Sequence, residues 1–147
     1  MPTVQADRLT RIGAALLRAA GASEEEATAV AVGCVNANLA GHDSHGVIAI
    51  PTYIDRIKAG HIVPGAPWTI VQESPTTTVI DGHWGFGFHV NAQAMALTIE
   101  KAKTANLHAC TVFPPLHSRR PGTHPLTPVQ QRHTGLCPRP PAPLPPL

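Results

Sequence analysis

The sequence predicts an α+β fold in which helices come first and a small sheet follows. Three observations support this fold. Apolar residues recur at three-to-four spacing through residues 4–40, β-rich runs occupy residues 68–80, and a strand-like run spans residues 107–113. The order helix, helix, helix, hairpin, helix, strand also allows an α/β arrangement, and the chain has no internal repeat. We therefore expect an α+β (α/β-like) fold.

Local signals place the three N-terminal helices. The first is predicted over residues 4–20 and ends at Gly21, a residue typical of helix C-termini. The segment Ser23–Glu26 has the pattern of a capping box, and its acidic residues suit the positive end of a helix. The second helix then runs to about Ala40, so the first two helices form a hairpin. A third helix is predicted over residues 48–60, with a proline in its first turn.

The sheet is predicted from runs rich in β-branched residues. Trp68–Glu73 and Thr76–Ile80 flank Ser74-Pro75, a pattern typical of a β-hairpin. A helix is expected from about Phe88 to Ala105, and Leu107–Phe113 then has the pattern of a buried strand.

Composition divides the chain at residue 113. All nine acidic residues and seven of the eleven Lys and Arg residues lie in residues 1–113, whereas residues 114–147 hold 11 of the 16 prolines and no acidic residue. A segment so rich in proline has neither helical nor strand periodicity and buries too little apolar surface to offset its chain entropy. We predict one folded unit over 1–113 and a disordered Pro/Arg-rich tail over 114–147.

Charge and hydropathy exclude several classes of partner. A net charge of +2 gives no argument for binding nucleic acid or an anionic membrane. No apolar run approaches the roughly 20 residues that span a bilayer, and the N-terminus has no signal-peptide pattern. Three widely spaced cysteines (Cys34, Cys110 and Cys137) suit a reducing compartment. The sequence therefore predicts a soluble, cytoplasmic protein.

Gly41–Gly46 is the segment richest in chemically active side chains. It holds His42, Asp43, Ser44 and His45 between two glycines, and histidine is the side chain best suited to proton transfer near neutral pH. One interpretation is an acid–base site, and another is a polar loop that follows a helix. A metal site is a third, with the two histidines joined by one of three others: His61, His83 or His89.

A second glycine-rich segment, Gly82–Gly87, precedes the predicted fourth helix. Such a turn could hold a phosphate at a helix N-terminus. Its spacing is G-x-x-G-x-G and differs from the dinucleotide fingerprint G-x-G-x-x-G, and it follows a hairpin. A tight turn with close packing is the alternative, and it is the interpretation we favour.

Several motifs in order along the chain resemble the malate/L-lactate dehydrogenase family, whose type-2 members include sulfolactate and ureidoglycolate dehydrogenases. The resemblance covers about residues 4–113. Its motifs are Asn38–Val47, Pro51–Ile54, Gly60–Pro64, Asp81–Gly82 with Gly85 and Gly87, Ala94-Met95 and Glu100–Ala102.

The resemblance implies an activity and an assignment of roles. It implies NAD(P)-dependent interconversion of 2-hydroxy and 2-oxo acids on a fold distinct from the Rossmann fold, by a homodimer or higher oligomer. We predict no metal site. The resemblance places the proton donor and acceptor at His45 and a hydrogen-bond partner at Ser44. It assigns no cofactor-binding residue. Many members carry an arginine where this chain has Ala49.

The resemblance also sets an expectation for the end of the chain. After Phe113 the sequence turns to Pro114-Pro115 and the proline-rich segment, where the family continues with a cofactor-binding region. We expect a truncated or frameshifted member. The alternative to an active dehydrogenase is an inactive remnant without the cofactor site, acting at most as a helical association module.

Overall fold

The computed structural model describes residues 3–113, 126–130 and 132–137. Two 3-10 turns, Asp43–His45 and Val47–Ala49, connect the second and third helices. The other elements, in chain order, are α1 (Ala6–Ala19), α2 (Glu24–Leu39), α3 (Ile50–Lys58), β1 (Thr69–Glu73), β2 (Thr77–Asp81), α4 (Gly87–Ala105), β3 (Ala109–Phe113) and α5 (Leu126–Gln130). The α+β prediction is confirmed.

The connection between α1 and α2 is built as the sequence predicts. Gly21 adopts φ +105° after α1, and the amide of Ala22 donates to the carbonyl of Leu17 at 3.1 Å. Ser23 and Glu26 form the reciprocal capping box: the Ser23 hydroxyl accepts from the Glu26 amide at 3.2 Å, and the Glu26 carboxylate accepts from the Ser23 amide at 3.0 Å. These bonds satisfy amides that the first turn of a helix leaves without partners.

The main core lies among α1, α2 and α3. Leu17, Val30 and Cys34 are completely buried in it. Ile12 and Leu16 belong to the apolar pattern of α1, but they remain 45% and 48% exposed. The helix instead buries a face that includes small residues, Gly13 and Ala14, which let it approach its neighbours closely.

The sheet has the order β1-β2-β3. β1 and β2 pair antiparallel as the predicted hairpin, and β3 pairs parallel with β2, from Thr77 opposite Ala109 to Asp81 opposite Phe113. α4 forms the crossover between the two parallel strands. Its residues Val90 and Ala94 are buried in a second, smaller core with Ile80 of β2.

One prediction for the C-terminal part needs correction. β3 is present, but its residues alternate between exposed and half-buried, because α4 packs on the sheet and β3 lies at an edge of the described strands. Within the tail predicted to be disordered, 114–147, residues 126–130 form α5, with Pro128 buried. The rest of that prediction lies outside the described residues, apart from 132–137. In the part of the chain that is described, no helix is long and apolar enough to cross a membrane.

Candidate active site

The histidine-rich segment, Gly41–Gly46, follows α2 after a turn held by backbone hydrogen bonds. Gly41 adopts φ +75°, where a side chain would be strained, and its amide donates to the carbonyl of Asn38 at 2.9 Å. The amide of His42 donates to the carbonyl of Ala37, also at 2.9 Å. This pair of bonds is the Schellman ending of a helix, and it sets the direction in which the segment departs. The predicted location at a helix C-terminus is confirmed.

Ser44 and His45 form a hydrogen-bonded pair. The Ser44 hydroxyl lies 2.9 Å from Nδ1 of His45, within the first 3-10 turn. The His45 ring is half-buried and Ser44 is exposed. None of the described residues forms a hydrogen bond to Nε2 of His45, so the ring has one nitrogen held by a neighbour and one available to a ligand.

His42 is arranged differently from His45. Its Nδ1 lies 3.1 Å from the carbonyl oxygen of Ala40, so this nitrogen carries the proton and donates to the backbone. The two imidazole rings meet edge to face, with centroids 6.2 Å apart and planes at 88°. His42 is exposed and lies beside the half-buried ring of His45, as a neighbour rather than a hydrogen-bond partner.

One side chain that the sequence did not single out organises this segment. The side chain of Asn38, in the last turn of α2, donates from Nδ2 to Asp43 at 2.6 Å and accepts from the amide of Val47 at 2.9 Å. Gly46 lies against the same amide group, since a Cβ on Gly46 would come within 2.2 Å of its oxygen. Sequence spacing alone gives no sign of this contact, because it depends on the chain folding back over the helix end.

The structure does not assemble the metal site that was considered. Within the described ranges, no three side chains of His, Cys, Asp or Glu come close enough to hold an ion. His83 is hydrogen-bonded through Nε2 to the Thr69 hydroxyl at 3.0 Å, with Asp81 3.7 Å from its Nδ1. His89 lies 3.9 Å from the carboxylate of Glu25. These histidines are engaged elsewhere in the fold.

The glycine-rich segment before α4 forms a tight turn. The amide of Gly85 donates to the carbonyl of Gly82 at 2.8 Å, and the two residues between them, His83 and Trp84, have φ of 45° and 62°. A Cβ on Gly85 would lie 3.2 Å from the Gly82 carbonyl and 3.5 Å from the side chain of Ala66. The turn is therefore closed by its own backbone and closely packed at Gly85, which agrees with the tight-turn interpretation.

Two further positions bear on ligand binding. Ala49, where many family members carry arginine, is only 2% exposed and belongs to the main core. A pocket of about 400 Å³ lies elsewhere, between α4 and residues 128–136, and its lining residues include none of the histidine-rich segment. Ser44 and His45 therefore stay the predicted site.

Comparison with known proteins identifies the family. The family model described as malate/L-lactate dehydrogenase matches residues 4–137. The chain belongs to this family. The match confirms the resemblance drawn from the motifs, and it extends past Phe113, where the sequence analysis placed a departure from the family pattern.

Several family members are similar to this chain in sequence or in structure. L-sulfolactate dehydrogenase from Methanocaldococcus jannaschii is 44% identical over 92 residues, 63% of this chain and 27% of that protein. Malate dehydrogenase from Pyrococcus abyssi is 32% identical over 130 residues, 88% of this chain and 36% of that protein. A solved structure of a putative malate/lactate dehydrogenase from E. coli superposes with a TM-score of 0.84 at 32% identity, covering 88% of this chain and 36% of the other. The chain thus spans about a third of the length of these malate/L-lactate dehydrogenase relatives.

Proposed function

We propose that this chain carries the acid–base centre of a dehydrogenase that interconverts 2-hydroxy and 2-oxo acids. The observation that supports the proposal is the pairing of the Ser44 hydroxyl with Nδ1 of His45, which leaves Nε2 for a substrate oxygen. The class of substrate follows from the relatives, which are named sulfolactate, hydroxycarboxylate and malate dehydrogenases.

His45 would act on the oxygen of the substrate carbon that changes oxidation state. Reduction of a 2-oxo acid turns its carbonyl oxygen into a hydroxyl, which requires a proton, and the Nε2–H of the His45 imidazolium can donate it. Oxidation of the 2-hydroxy acid returns that proton to Nε2. Ser44 accepts from Nδ1–H in this arrangement, which orients the ring. It also favours the neutral tautomer that is protonated at Nδ1, whose Nε2 can take up the substrate proton.

The electron partner expected from the family resemblance is NAD or NADP. The glycine-rich turn before α4 lacks the spacing of the dinucleotide fingerprint, and the amide of Gly85 is already bonded to the carbonyl of Gly82. We therefore assign no residue to the cofactor and confine the proposed chemistry to the proton. A homo-oligomeric assembly is proposed on the same resemblance.

The test is turnover by the purified full chain with NADH or NADPH and a panel of 2-oxo acids that includes oxaloacetate, pyruvate and sulfopyruvate. We expect His45→Gln to lower kcat by about 10²–10⁴-fold, the usual contribution of a general acid–base group. His61→Gln is the matched control, because His61 is an exposed histidine in the loop after α3. It should retain wild-type turnover.

Two outcomes would count against the proposal. If titration shows that the chain binds neither NADH nor NADPH and no substrate turns over, the inactive association module becomes the better description. If turnover is present but His45→Gln retains it, the acid–base centre lies elsewhere.

A further inference from the structure

We propose that Asn38 is the positioning residue for His45. Its side-chain amide holds the turn that carries Ser44 and His45 in the one conformation that sets their hydrogen bond. This inference rests on the proposed function for the role of His45 in catalysis, but the contacts that support it concern the conformation of the turn and can be tested without turnover.

The Asn38 amide binds both ends of the turn. It donates from Nδ2 to the side chain of Asp43, immediately before Ser44, and accepts at Oδ1 from the amide of Val47, two residues after His45. A single planar group therefore fixes the separation of the two ends. Asn38 lies in the last turn of α2, so its bonds hold the position of the His45 ring relative to this helix.

The chemistry of the two partners determines which way the amide faces. The Val47 amide can only donate, so it must meet Oδ1, and the Asp43 side-chain oxygen accepts, so it meets Nδ2. An aspartate at position 38 would still accept from the Val47 amide, but it would place a second carboxylate against Asp43. A leucine or alanine would lose both bonds.

Gly46 adds a steric restraint to the two hydrogen bonds. Its φ of −85° and ψ of −159° are accessible to residues with a side chain, so the backbone itself does not require glycine. A Cβ there would instead lie 2.2 Å from Oδ1 and 2.5 Å from Nδ2 of Asn38. The residue after His45 must therefore be glycine, because Asn38 occupies the space of any Cβ there.

Backbone bonds transmit the restraint to the ring. The His45 amide donates to the carbonyl of His42 at 3.0 Å and the Gly46 amide to the carbonyl of Asp43 at 2.9 Å, which closes the 3-10 turn that carries the Ser44–His45 pair. If Asn38 no longer binds Asp43 and Val47, both ends of this short turn lose the hydrogen bonds that restrain them. We expect the Ser44–His45 bond to become intermittent.

The first test measures the imidazole nitrogens of His45 by NMR on the full chain, with His45→Gln used to assign the signals. In the wild type we expect distinct Nδ1 and Nε2 shifts, typical of one dominant tautomer. In Asn38→Ala we expect the two shifts to move toward the averaged values of an exposed histidine. Asn36→Ala is the matched control, because Asn36 is an exposed asparagine two residues earlier in α2, and it should leave the His45 shifts unchanged.

The second test is a double-mutant cycle. Gly46→Ala should perturb the His45 shifts because its methyl group displaces the Asn38 amide. Asn38→Ala/Gly46→Ala should perturb them no more than Asn38→Ala alone, because the clash disappears with the amide. Fully additive effects would show that Gly46 and Asn38 act independently and would overturn the proposal.

Turnover separates this inference from the proposed function. If the wild type turns over, Asn38→Ala should lower kcat by up to about 10²-fold with little change in KM, since misplacement of a catalytic group acts on the chemical step. If nothing turns over but the His45 shifts respond as expected, the proposed function fails and the positioning role in the turn stands. Unchanged His45 shifts in Asn38→Ala would overturn the inference in either case.

Discussion

Cys110 shows how the environment of a single side chain sets its reactivity. It lies on β3 and packs against the smaller core formed by β2 and α4. Burial raises the pKa of the Cys110 thiol, and a hydrogen bond with the Thr98 side chain lowers it by a smaller amount. Since the thiolate is the nucleophile, a raised pKa reduces the reactive fraction at neutral pH.

We therefore expect Cys110 to be alkylated more slowly than the exposed Cys137 in the folded protein. Its rate should continue to rise with pH beyond the point at which an ordinary thiol is fully ionised, and Thr98→Val should slow it further by removing the bond that lowers the pKa. Peptide mass spectrometry after timed iodoacetamide treatment measures each site. Equal rates at Cys110 and Cys137 would contradict this prediction.

The residues of the candidate site were predictable to different degrees. Ser44 and His45 follow from their residue types and from the family motif, and the structure adds the 2.9 Å contact between them. Their roles in catalysis stay predictions. Asn38 was not predictable as an organiser, because its partners Asp43 and Val47 become neighbours only after the chain has turned at Gly41.

Among the elements, α2 depends on a glycine for its contact with α4. A Cβ on Gly33 would lie 2.4 Å from the ring of Phe88. A Cβ on Gly13 in α1 would lie 2.8 Å from the flexible end of Ile50 and in ordinary contact, at 3.4 Å, with the Cβ of Ala31. An aromatic ring packed between helices cannot yield as the tip of an isoleucine can. The two helical glycines therefore form a matched pair for measuring close packing.

We expect Gly33→Ala to lower the free energy of unfolding by about 1–3 kcal/mol, the usual cost of overpacking. Gly13→Ala should be close to neutral, because alanine gains about 1 kcal/mol of helix propensity over glycine and Ile50 can move. Urea unfolding followed by circular dichroism provides both values. Similar losses in the two variants would show that Phe88 yields as readily as Ile50.

The elements themselves were largely predictable, and their exposure was less so. Capping at Ser23 and the turn signal at Ser74-Pro75 are local, so α2 and the hairpin are confirmed close to their predicted positions. How far the β3 residues are buried, and which face of α1 is buried, depend on which neighbouring element packs against each of them. Periodicity cannot show that Ile12 and Leu16 face outward, since they share the spacing of inward residues.

At the scale of the whole molecule, the sheet presents its β1 edge to solvent. All five residues of β1 are exposed, including Ile70 at 42% and Val71 at 54%, and β1 pairs only with β2 among the described strands. An exposed apolar edge strand is a template for pairing with another chain.

We expect the protein to self-associate with increasing concentration, and Val71→Lys to reduce this association because a lysine on an edge strand opposes edge pairing. Light scattering over a concentration series measures the effect. Thr69→Lys is a less suitable change, since the Thr69 hydroxyl binds His83. If Val71→Lys associates as strongly as the wild type, β1 is not the contact.

The parallel pairing of β2 with β3 has a consequence for the order of folding. The β1–β2 hairpin closes across a short turn, but Thr77 can meet Ala109 only after α4 has crossed the sheet, and closing the longer loop costs more entropy. The hydrogen bonds from Asn38 to Asp43 and from Val47 to Asn38, by contrast, join residues close in sequence. These two bonds can therefore form as soon as α2 does, and during synthesis they would precede the completed sheet.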